Sequence, residues 1–231
     1  SYQVRPETKA VFGADVSEDK FIGTGSQLAY ALSRRNRGLY AGLNNHIGRM
    51  NLAINVRHER YHLQQENSTT KADYEANTGL VGLGYQVTPA WRLTGTFSSG
   101  FSAPTADALS SNPNIRPERH QSQEAGAVYQ VRDALLRMVY FKSKATDAII
   151  YDNNYTYING NIDNEGLEFS GRANVDGFSI KSSVTLQDPR DVTQNLPQAR
   201  RAKRYGSLDI SRSLLGYEAG VKVYAAGARP D

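Results

Sequence analysis

Apolar and polar residues alternate at a spacing of two along most of this chain. The clearest example is residues 48–59, where Met50, Leu52, Ile54 and Val56 are separated by polar or small residues. Such spacing places the two sets of side chains on opposite faces of a β-strand. Strands are predicted at 8–21, 35–44, 47–63, 75–88, 91–101, 121–131, 134–150, 161–174, 178–189, 203–213 and 217–226. These eleven runs and the absence of a sustained helical period predict an all-β fold.

The predicted connections alternate between short and long along the whole chain. Short turns are expected at 46–48, 88–90, 132–133, 175–177 and 214–216, and long polar loops at 22–34, 64–74, 102–120, 151–160 and 190–202. An antiparallel, up-and-down arrangement with tight turns on one side and long loops on the other is typical of transmembrane β-barrels. A soluble β-sandwich has Greek-key connections, which do not separate by length in this way. Several runs also exceed the usual strand length of about 5–6 residues.

In a transmembrane barrel, one face of each strand contacts lipid and the other faces a polar interior. Burial in hydrocarbon favours the apolar face by about 25 cal/mol per Å². The opposite face needs water or a polar plug, because it carries the charged residues Glu168, Arg172, Lys181, Glu218 and Lys222. Tyr85, Trp91 and Tyr129 lie close to short turns, where an interfacial aromatic girdle is expected. The alternative is that these rings pack inside a soluble barrel.

Composition narrows the class of protein further. The 231 residues suffice for one large β domain or two ordinary ones, and no window of about 18 apolar residues predicts a transmembrane helix. The mean hydropathy of −0.56 suits a barrel with a polar lumen and a soluble protein equally well. Cysteine is absent, which excludes disulfides and thiolate metal sites. With 27 basic and 23 acidic residues, the charge is too balanced to indicate nucleic-acid binding.

The segment FSSGFSAPTADALSSNPNIRPE, residues 97–118, breaks the alternation. Its prolines lack backbone donors and hold the preceding residues extended, which predicts a long, stiffened loop between two strands. The segment resembles the G-F-x-A-P-T and N-P-x-L-x-P-E signature of TonB-dependent outer-membrane receptors. The matching residues are Gly100, Phe101, Ala103, Pro104, Thr105, Asn112, Pro113, Pro117 and Glu118, with Glu124 and Gly126 opening the next strand. Residues 161–168 resemble a later N-x-x-x-x-x-G-x-E strand, and 196–204 resemble the L-P-x-R passage of the vitamin B12 receptor branch.

This resemblance implies an outer-membrane receptor of a Gram-negative bacterium. Barrels of the family have 22 strands, so residues 1–231 are expected to be a portion of the barrel domain, without the plug domain and the closing strands. The start of the chain shows no signal peptide, and we interpret the chain as a piece of a longer protein. The implied function is TonB-coupled import of a scarce, bulky nutrient, such as cobalamin, an iron siderophore or haem. The alternatives are a passive porin-like or adhesin barrel and a soluble β-rich binding module.

The predicted ligand-binding residues lie at one loop tip: Asp152, Asn153, Asn154, Tyr155 and Tyr157. They combine hydrogen-bonding groups with rigid aromatic faces; the alternative is an ordinary polar loop. The basic cluster 200–204 is either a solvated rim or a contact for lipopolysaccharide phosphates. His58 and His62 have a metal-binding spacing only on a helix, so no metal site is predicted. We expect no cofactor, and we find no residue pattern that supports catalysis.

Overall fold

The computed structural model describes residues 2–5, 7–24, 29–65, 71–152 and 154–230. Its strands are β1 (Tyr2–Arg5), β2 (Thr8–Thr24), β3 (Ala29–Ile47), β4 (Met50–Gln65), β5 (Lys71–Gln86), β6 (Trp91–Ser102), β7 (Glu118–Val131), β8 (Ala134–Tyr151), β9 (Tyr157–Val175), β10 (Phe178–Gln187), β11 (Arg190–Asp191), β12 (Leu196–Pro197), β13 (Arg204–Leu214) and β14 (Tyr217–Ala226). One helix, α1, spans Ala106–Ser111. No helix in these ranges is long and apolar enough to cross a membrane.

All of these strands belong to one antiparallel sheet. From β1 to β10 each strand pairs with the next, and β13 and β14 follow β10. The two-residue strands β11 and β12 lie in the connection between β10 and β13, where β11 also pairs with β9. The predicted all-β, up-and-down arrangement is confirmed, and all eleven predicted strands are present. The additional strands β1, β11 and β12 are too short to show an alternating pattern.

The short turns fall where the sequence predicts them. Asp176 and Gly177 have φ angles of 50° and 79°, as a tight hairpin turn between strongly twisted strands requires. The pairing of Arg5 with Thr8 places the β1–β2 connection at this same end of the sheet, which we call the turn side. The opposite end, where the longer connections lie, is the loop side.

The predicted extent of several long loops is wrong. Strands β2 and β3 continue to Thr24 and from Ala29, through most of the predicted loop 22–34. Strands β4 and β5 likewise reach Gln65 and Lys71 within the predicted loop 64–74. Polar composition suggested loops there, yet backbone pairing continues. Residues 102–120 also contain helix α1, which the proline-based argument did not predict.

Cross-strand register gathers the apolar side chains on one face, here called the apolar face. Leu52 lies opposite Leu83, and Phe169 lies between Met138 and Val184 on the neighbouring strands. These side chains have no second sheet to pack against: Phe12 is 76% exposed and Val221 69%. Five of the ten buried hydrophobic residues in the described chain form one cluster, which is its small hydrophobic core. The sheet is therefore not half of a sandwich, and its apolar face requires a hydrophobic surrounding.

Toward the loop side, the apolar face becomes polar. On β4 the apolar series Met50, Leu52, Ile54 and Val56 gives way to His58 at the same spacing. Ion pairs join neighbouring strands above this level, such as Arg35–Glu18 at 3.0 Å and Lys142–Glu165 at 3.3 Å. Near the turn side, the Trp91 and Tyr129 rings lie 4.9 Å apart. The apolar part of this face, here called the apolar band, is thus bounded by paired charges toward the loop side and by aromatic rings toward the turn side.

The other face, here called the polar face, carries most of the remaining charge. Arg57 contacts Asp15 at 2.9 Å and Glu59 at 2.8 Å. The predicted polar-face residues lie together, since Lys181 is opposite Arg172 on β9 and Asp209 on β13, and Asp209 is opposite Lys222. The assignment of these side chains to the face away from the apolar band is confirmed.

We expect the apolar face to contact lipid, and spin labels can test this because the chain has no cysteine. Single-cysteine variants at residues 54, 55, 56 and 57 of the full receptor are labelled in lipid bilayers. Collisions with oxygen, which partitions into hydrocarbon, should be frequent at 54 and 56 and rare at 55 and 57. Leu215, at the tip of a turn and 99% exposed, provides a water-accessible control. Equal collision rates along residues 54–57 would contradict the lipid assignment.

Candidate functional site

Residues 103–117, here called the arch, fold back over the polar face at its loop side. The Phe101 ring, at the end of β6, lies 5.3 Å from the Tyr61 ring on β4. Thr105 then caps helix α1, its Oγ1 accepting a hydrogen bond of 3.2 Å from the Ala108 backbone N–H. The loop is therefore structured from its first residues.

The arch supplies most of the small hydrophobic core. Ala108, Leu109 and Ile115 are almost fully buried against Leu32 of β3 and Leu63 of β4. Burial of this kind stabilises the leucine and isoleucine side chains by about 1.5–3 kcal/mol each. The arch is consequently fixed against the wall instead of extending into solvent.

Asn112 connects the arch to strand β9. Its backbone N–H donates to the Ala108 carbonyl at 2.8 Å and ends the helix. Its side-chain Nδ2 donates to the Tyr157 carbonyl at 2.9 Å, and Oδ1 accepts from the Asn114 N–H at 3.0 Å. Both polar atoms of the Asn112 side chain, Nδ2 and Oδ1, are thus hydrogen-bonded to backbone groups.

Arg116 and Asn159 hold an irregularity in β8. The guanidinium of Arg116 donates to Asp147 Oδ1 at 2.6 Å, and Asn159 Nδ2 donates to the Asp147 carbonyl at 2.8 Å. Asp147 has a φ of 56° at a shift in the β8–β9 register. Glu118 Oε2 accepts from the Ile149 N–H at 3.2 Å. Arg116 therefore binds a side chain of β8, and Glu118 binds a backbone group of β8.

The predicted ligand-binding tip forms a tight turn between β8 and β9. Asp152 Oδ1 accepts from the N–H groups of Asn154 at 2.9 Å and Thr156 at 2.8 Å, which makes Asp152 a turn-stabilising residue. Tyr155 has a φ of 59° and is 86% exposed. Asn153 lies outside the described residues.

Tyr157 lies at the start of β9 and faces helix α1. Its hydroxyl donates to Asp107 Oδ2 at 2.6 Å and accepts from the Tyr151 hydroxyl at 2.5 Å. The hydrogen bond to the Asp107 carboxylate raises the pKa of Tyr157, and the bond with Tyr151 adds to the shift. Tyr157 therefore stays protonated at neutral pH and joins the tip to the arch. The tip brings Tyr155 to the surface, and ligand binding there stays a prediction.

The connection between β10 and β13 is fixed at both of its ends. Asp188 lies 2.6 Å from Arg190 Nε and 2.6 Å from Lys203 Nζ, and these two cations lower the pKa of its carboxyl group. Gln187 Nε2 donates to the Ala202 carbonyl at 2.9 Å. The Arg200 N–H donates to the Pro230 carbonyl at 2.7 Å, which ties the connection to the segment after β14.

This connection lines a cavity of about 630 Å³ on the polar face near the loop side, here called the arginine cleft. Arg200, Arg201 and Arg229 contribute to its wall. Within the described ranges, no carboxylate forms an ion pair with any of the three. The one carboxylate among the lining residues, Glu118, contacts His120 at 2.8 Å. The cleft therefore has an excess of fixed positive charge.

The basic cluster 200–204 is divided by the structure into three environments. Arg200 and Arg201 line the cleft, and Lys203 is paired with Asp188. Arg204 lies opposite Leu186, on the apolar face. The cluster is therefore not one continuous rim patch. The sequence did not predict that Arg229 lines this cleft, because nothing in its local sequence links it to residues 200–201.

Gly166, in the segment 161–168, has a packing role. The ring of Phe141 lies over it, on the neighbouring strand β8. A Cβ atom at Gly166 would lie 2.9 Å from Phe141 Cζ and would collide with the Leu186 carbonyl oxygen. Close contact between three strands therefore excludes a side chain at this position.

The two histidines with metal-like spacing project toward β5. His58 Nδ1 lies 2.8 Å from Asn77 Oδ1, and His62 Nδ1 lies 2.7 Å from Asp73 Oδ1. Each histidine is thus hydrogen-bonded to its own cross-strand neighbour. In the part of the chain that the structure describes, no group of three or more histidines and carboxylates could hold a metal ion.

The chain is similar to several known transport proteins. Residues 5–229 match the family model described as "TonB dependent receptor-like, beta-barrel". The vitamin B12 transporter BtuB of Vibrio vulnificus (strain CMCP6) is 26% identical over 176 residues, which are 75% of this chain and 28% of that protein. The copper transporter OprC superposes with a TM-score of 0.82 at 13% identity, over 98% of this chain and 42% of the other. The FrpB iron transporter from Neisseria meningitidis superposes with a TM-score of 0.76 at 16% identity, over 95% and 40%.

These two structural likenesses show the fold alone, because both identities are low. They establish that the sheet has the architecture of part of a larger barrel. This chain spans well under half the length of the proteins it matches.

Replacing Asn112 with alanine should loosen the arch. The substitution removes the bonds to the Tyr157 carbonyl and the Asn114 N–H, and a hydrogen bond of this kind contributes about 0.5–1.5 kcal/mol net. We expect the receptor's free energy of unfolding, measured by urea titration in detergent, to fall by about that amount. Asn114→Ala is the control, since the exposed Asn114 contributes its backbone N–H and not its side chain. Equal effects of both variants would contradict the role assigned to Asn112.

Replacing Gly166 with alanine should destabilise the wall. The added methyl group must displace the Phe141 ring or the β10 backbone, and overpacking of this kind costs about 1–3 kcal/mol. Gly100→Ala is a matched control within the other signature segment, because its Cβ would have a nearest contact of 3.5 Å to His120. The urea midpoint should therefore decrease for Gly166→Ala and change little for Gly100→Ala. A tolerated Gly166→Ala would show that the contact is not restrictive.

Proposed function

Because this chain belongs to the TonB-dependent receptor-like β-barrel family, we propose that it forms part of an outer-membrane receptor that imports a scarce, bulky nutrient. The receptor lies in the outer membrane of a Gram-negative bacterium. It binds cobalamin, an iron siderophore or haem from outside, and TonB-coupled energy drives import through rearrangement of a plug domain. Residues 1–231 supply part of the barrel wall and its outer connections.

The observation that carries this proposal is the separation of the two faces along a family-matched sheet. The apolar band suits contact with outer-membrane lipid, and the polar face suits a hydrated interior or a polar plug. The names of the matched proteins support the choice of cargo, since they are transporters of vitamin B12, copper and iron. Of these proteins, the vitamin B12 transporter is 26% identical to this chain over 176 residues, which favours cobalamin as the cargo.

The structure of the loop side supports binding at that end. The arch and the β8–β9 tip are held rigid by hydrogen bonds between Asn112, Asp107 and Tyr157. A rigid surface loses less conformational entropy when it binds a ligand. Exposed Tyr155 adds an aromatic face suited to a planar or bulky ligand. We therefore propose that Asp152, Asn153, Asn154, Tyr155 and Tyr157 contribute to the outer rim of the binding region.

Lipopolysaccharide is a proposed partner at the boundary of the apolar band. The charged side chains just above the band, including Arg35 and Arg60, project on the same face as the lipid-contacting residues. At that level they are close to the phosphorylated headgroups of the outer leaflet.

Energy-dependent uptake tests the proposed function. A strain carrying the full receptor and a deletion strain are compared for uptake of radiolabelled cyanocobalamin, a ferric siderophore and haem. We expect one of these to accumulate only when the receptor is present, and accumulation to cease when a protonophore collapses the proton-motive force. Uptake that continues without the proton-motive force would indicate a passive porin-like barrel instead. Absence of receptor-dependent uptake for all three would also contradict the proposal.

A further inference from the structure

Two of the cavities on the polar face differ in the charge of their walls. One, of about 850 Å³ near the turn side, is lined mainly by small or amide side chains such as Asn44, Asn51, Gly82 and Thr96. The arginine cleft, about 630 Å³ near the loop side, has Arg200, Arg201 and Arg229 in its wall. The arginine cleft is therefore the more positively charged of these two cavities.

Among the described residues, no carboxylate pairs with the cleft arginines. Asp188, at the start of the connection, contacts Arg190 and Lys203 at 2.6 Å each. Asp191 Oδ1 accepts from the Gln194 N–H at 3.0 Å. Glu118, which lines the cleft, contacts His120 and also accepts from the Ile149 N–H. These three described carboxylates therefore bind groups other than the cleft arginines.

The backbone that carries these arginines is fixed in advance. Arg200 has a φ of 60° and donates its N–H to Pro230, next to Arg229. On the other side, Ala202 is 6% exposed and its carbonyl accepts from Gln187. Bonds on both sides of Arg201 hold the two segments together, so little ordering is needed when an anion arrives. Guanidinium groups that have no carboxylate partner bind carboxylates and phosphates through paired N–H donors.

We propose that the arginine cleft binds a nutrient bearing clustered carboxylate or phosphate groups, with Arg201 and Arg229 as its main anion contacts. The proposal rests on the function proposed above and adds the charge class of its ligand. Tyr205 and Tyr224, which also line the cleft, supply hydroxyl donors and aromatic surface beside the cations. Because the cleft opens on the polar face, the anion belongs to a soluble nutrient and not to a membrane lipid.

Calorimetric titration of the full receptor in detergent with citrate and with pyrophosphate tests this assignment. We expect at least one anion to bind, with affinity that weakens as sodium chloride rises from low to high concentration. The Arg201→Gln/Arg229→Gln double variant should bind it at least tenfold more weakly and with less dependence on salt. Arg132→Gln, in the β7–β8 turn at the opposite end, is the charge-matched control and should bind like the wild type.

Three outcomes would overturn the inference: neither anion binds, the double variant binds as tightly as the wild type, or Arg132→Gln causes the same loss. Thermal unfolding of both variants separates a lost contact from a lost fold, and unchanged unfolding with weakened binding supports the site. The uptake assay distinguishes the two proposals. Proton-motive-force-dependent uptake with no effect of the double variant overturns the cleft assignment and leaves the proposed function standing. Uptake independent of the proton-motive force overturns the proposed function, whatever the anion affinity.

Discussion

Continuous antiparallel pairing is the constraint on which the rest of this structure depends. The period of a strand is two, so a shift of one residue between neighbours would transfer every apolar side chain to the polar face. The register avoids this from β2 to β14: Leu52 faces Leu83, Met138 faces Phe169, and Leu208 faces Val223. Each pair extends the apolar face by one strand, and each intervening residue extends the polar face. A wall with one apolar and one polar face results from repetition of this one pairing rule.

The arch shows how a polar wall can hold a rigid feature. Helix α1 is too short to be stable alone, and it persists because Ala108 and Leu109 are buried against β3 and β4. Asn112 and Glu118 of the same segment then bind backbone groups of Tyr157 and Ile149 on β9 and β8. Arg116 binds the side chain of the strained Asp147. The prolines and asparagines of the signature are therefore best understood as structural. They fix the conformation of the loop side of the sheet. Gly166 allows three strands to pack closely within the wall.

The polar face is not uniform in charge, and the distribution has a clear physical cause. Near the middle of the wall, Arg57 is neutralised by Asp15 and Glu59. At the loop side, Asp188 in the connection between β10 and β13 pairs with Arg190 and Lys203, and Arg200 and Arg201 have no carboxylate partner among the described residues. The hydrogen bonds and ion pairs that fix the connection therefore leave the wall of the cleft with an excess of positive charge.

The sequence alone determined the strands, their two faces and the turn side, because an alternation such as Met50 to Val56 is a local property that any antiparallel sheet must respect. It also identified the segments 97–118 and 161–168, although not what their residues do. Polar strand ends such as 29–34 appeared as loops, since composition carries no information about backbone pairing. Helix α1 depends on a buried surface supplied by Leu32 and Leu63, and the arginine cleft joins residues 200–201 to Arg229. Contacts between residues distant in the chain decide such features, so only the tertiary structure could show them.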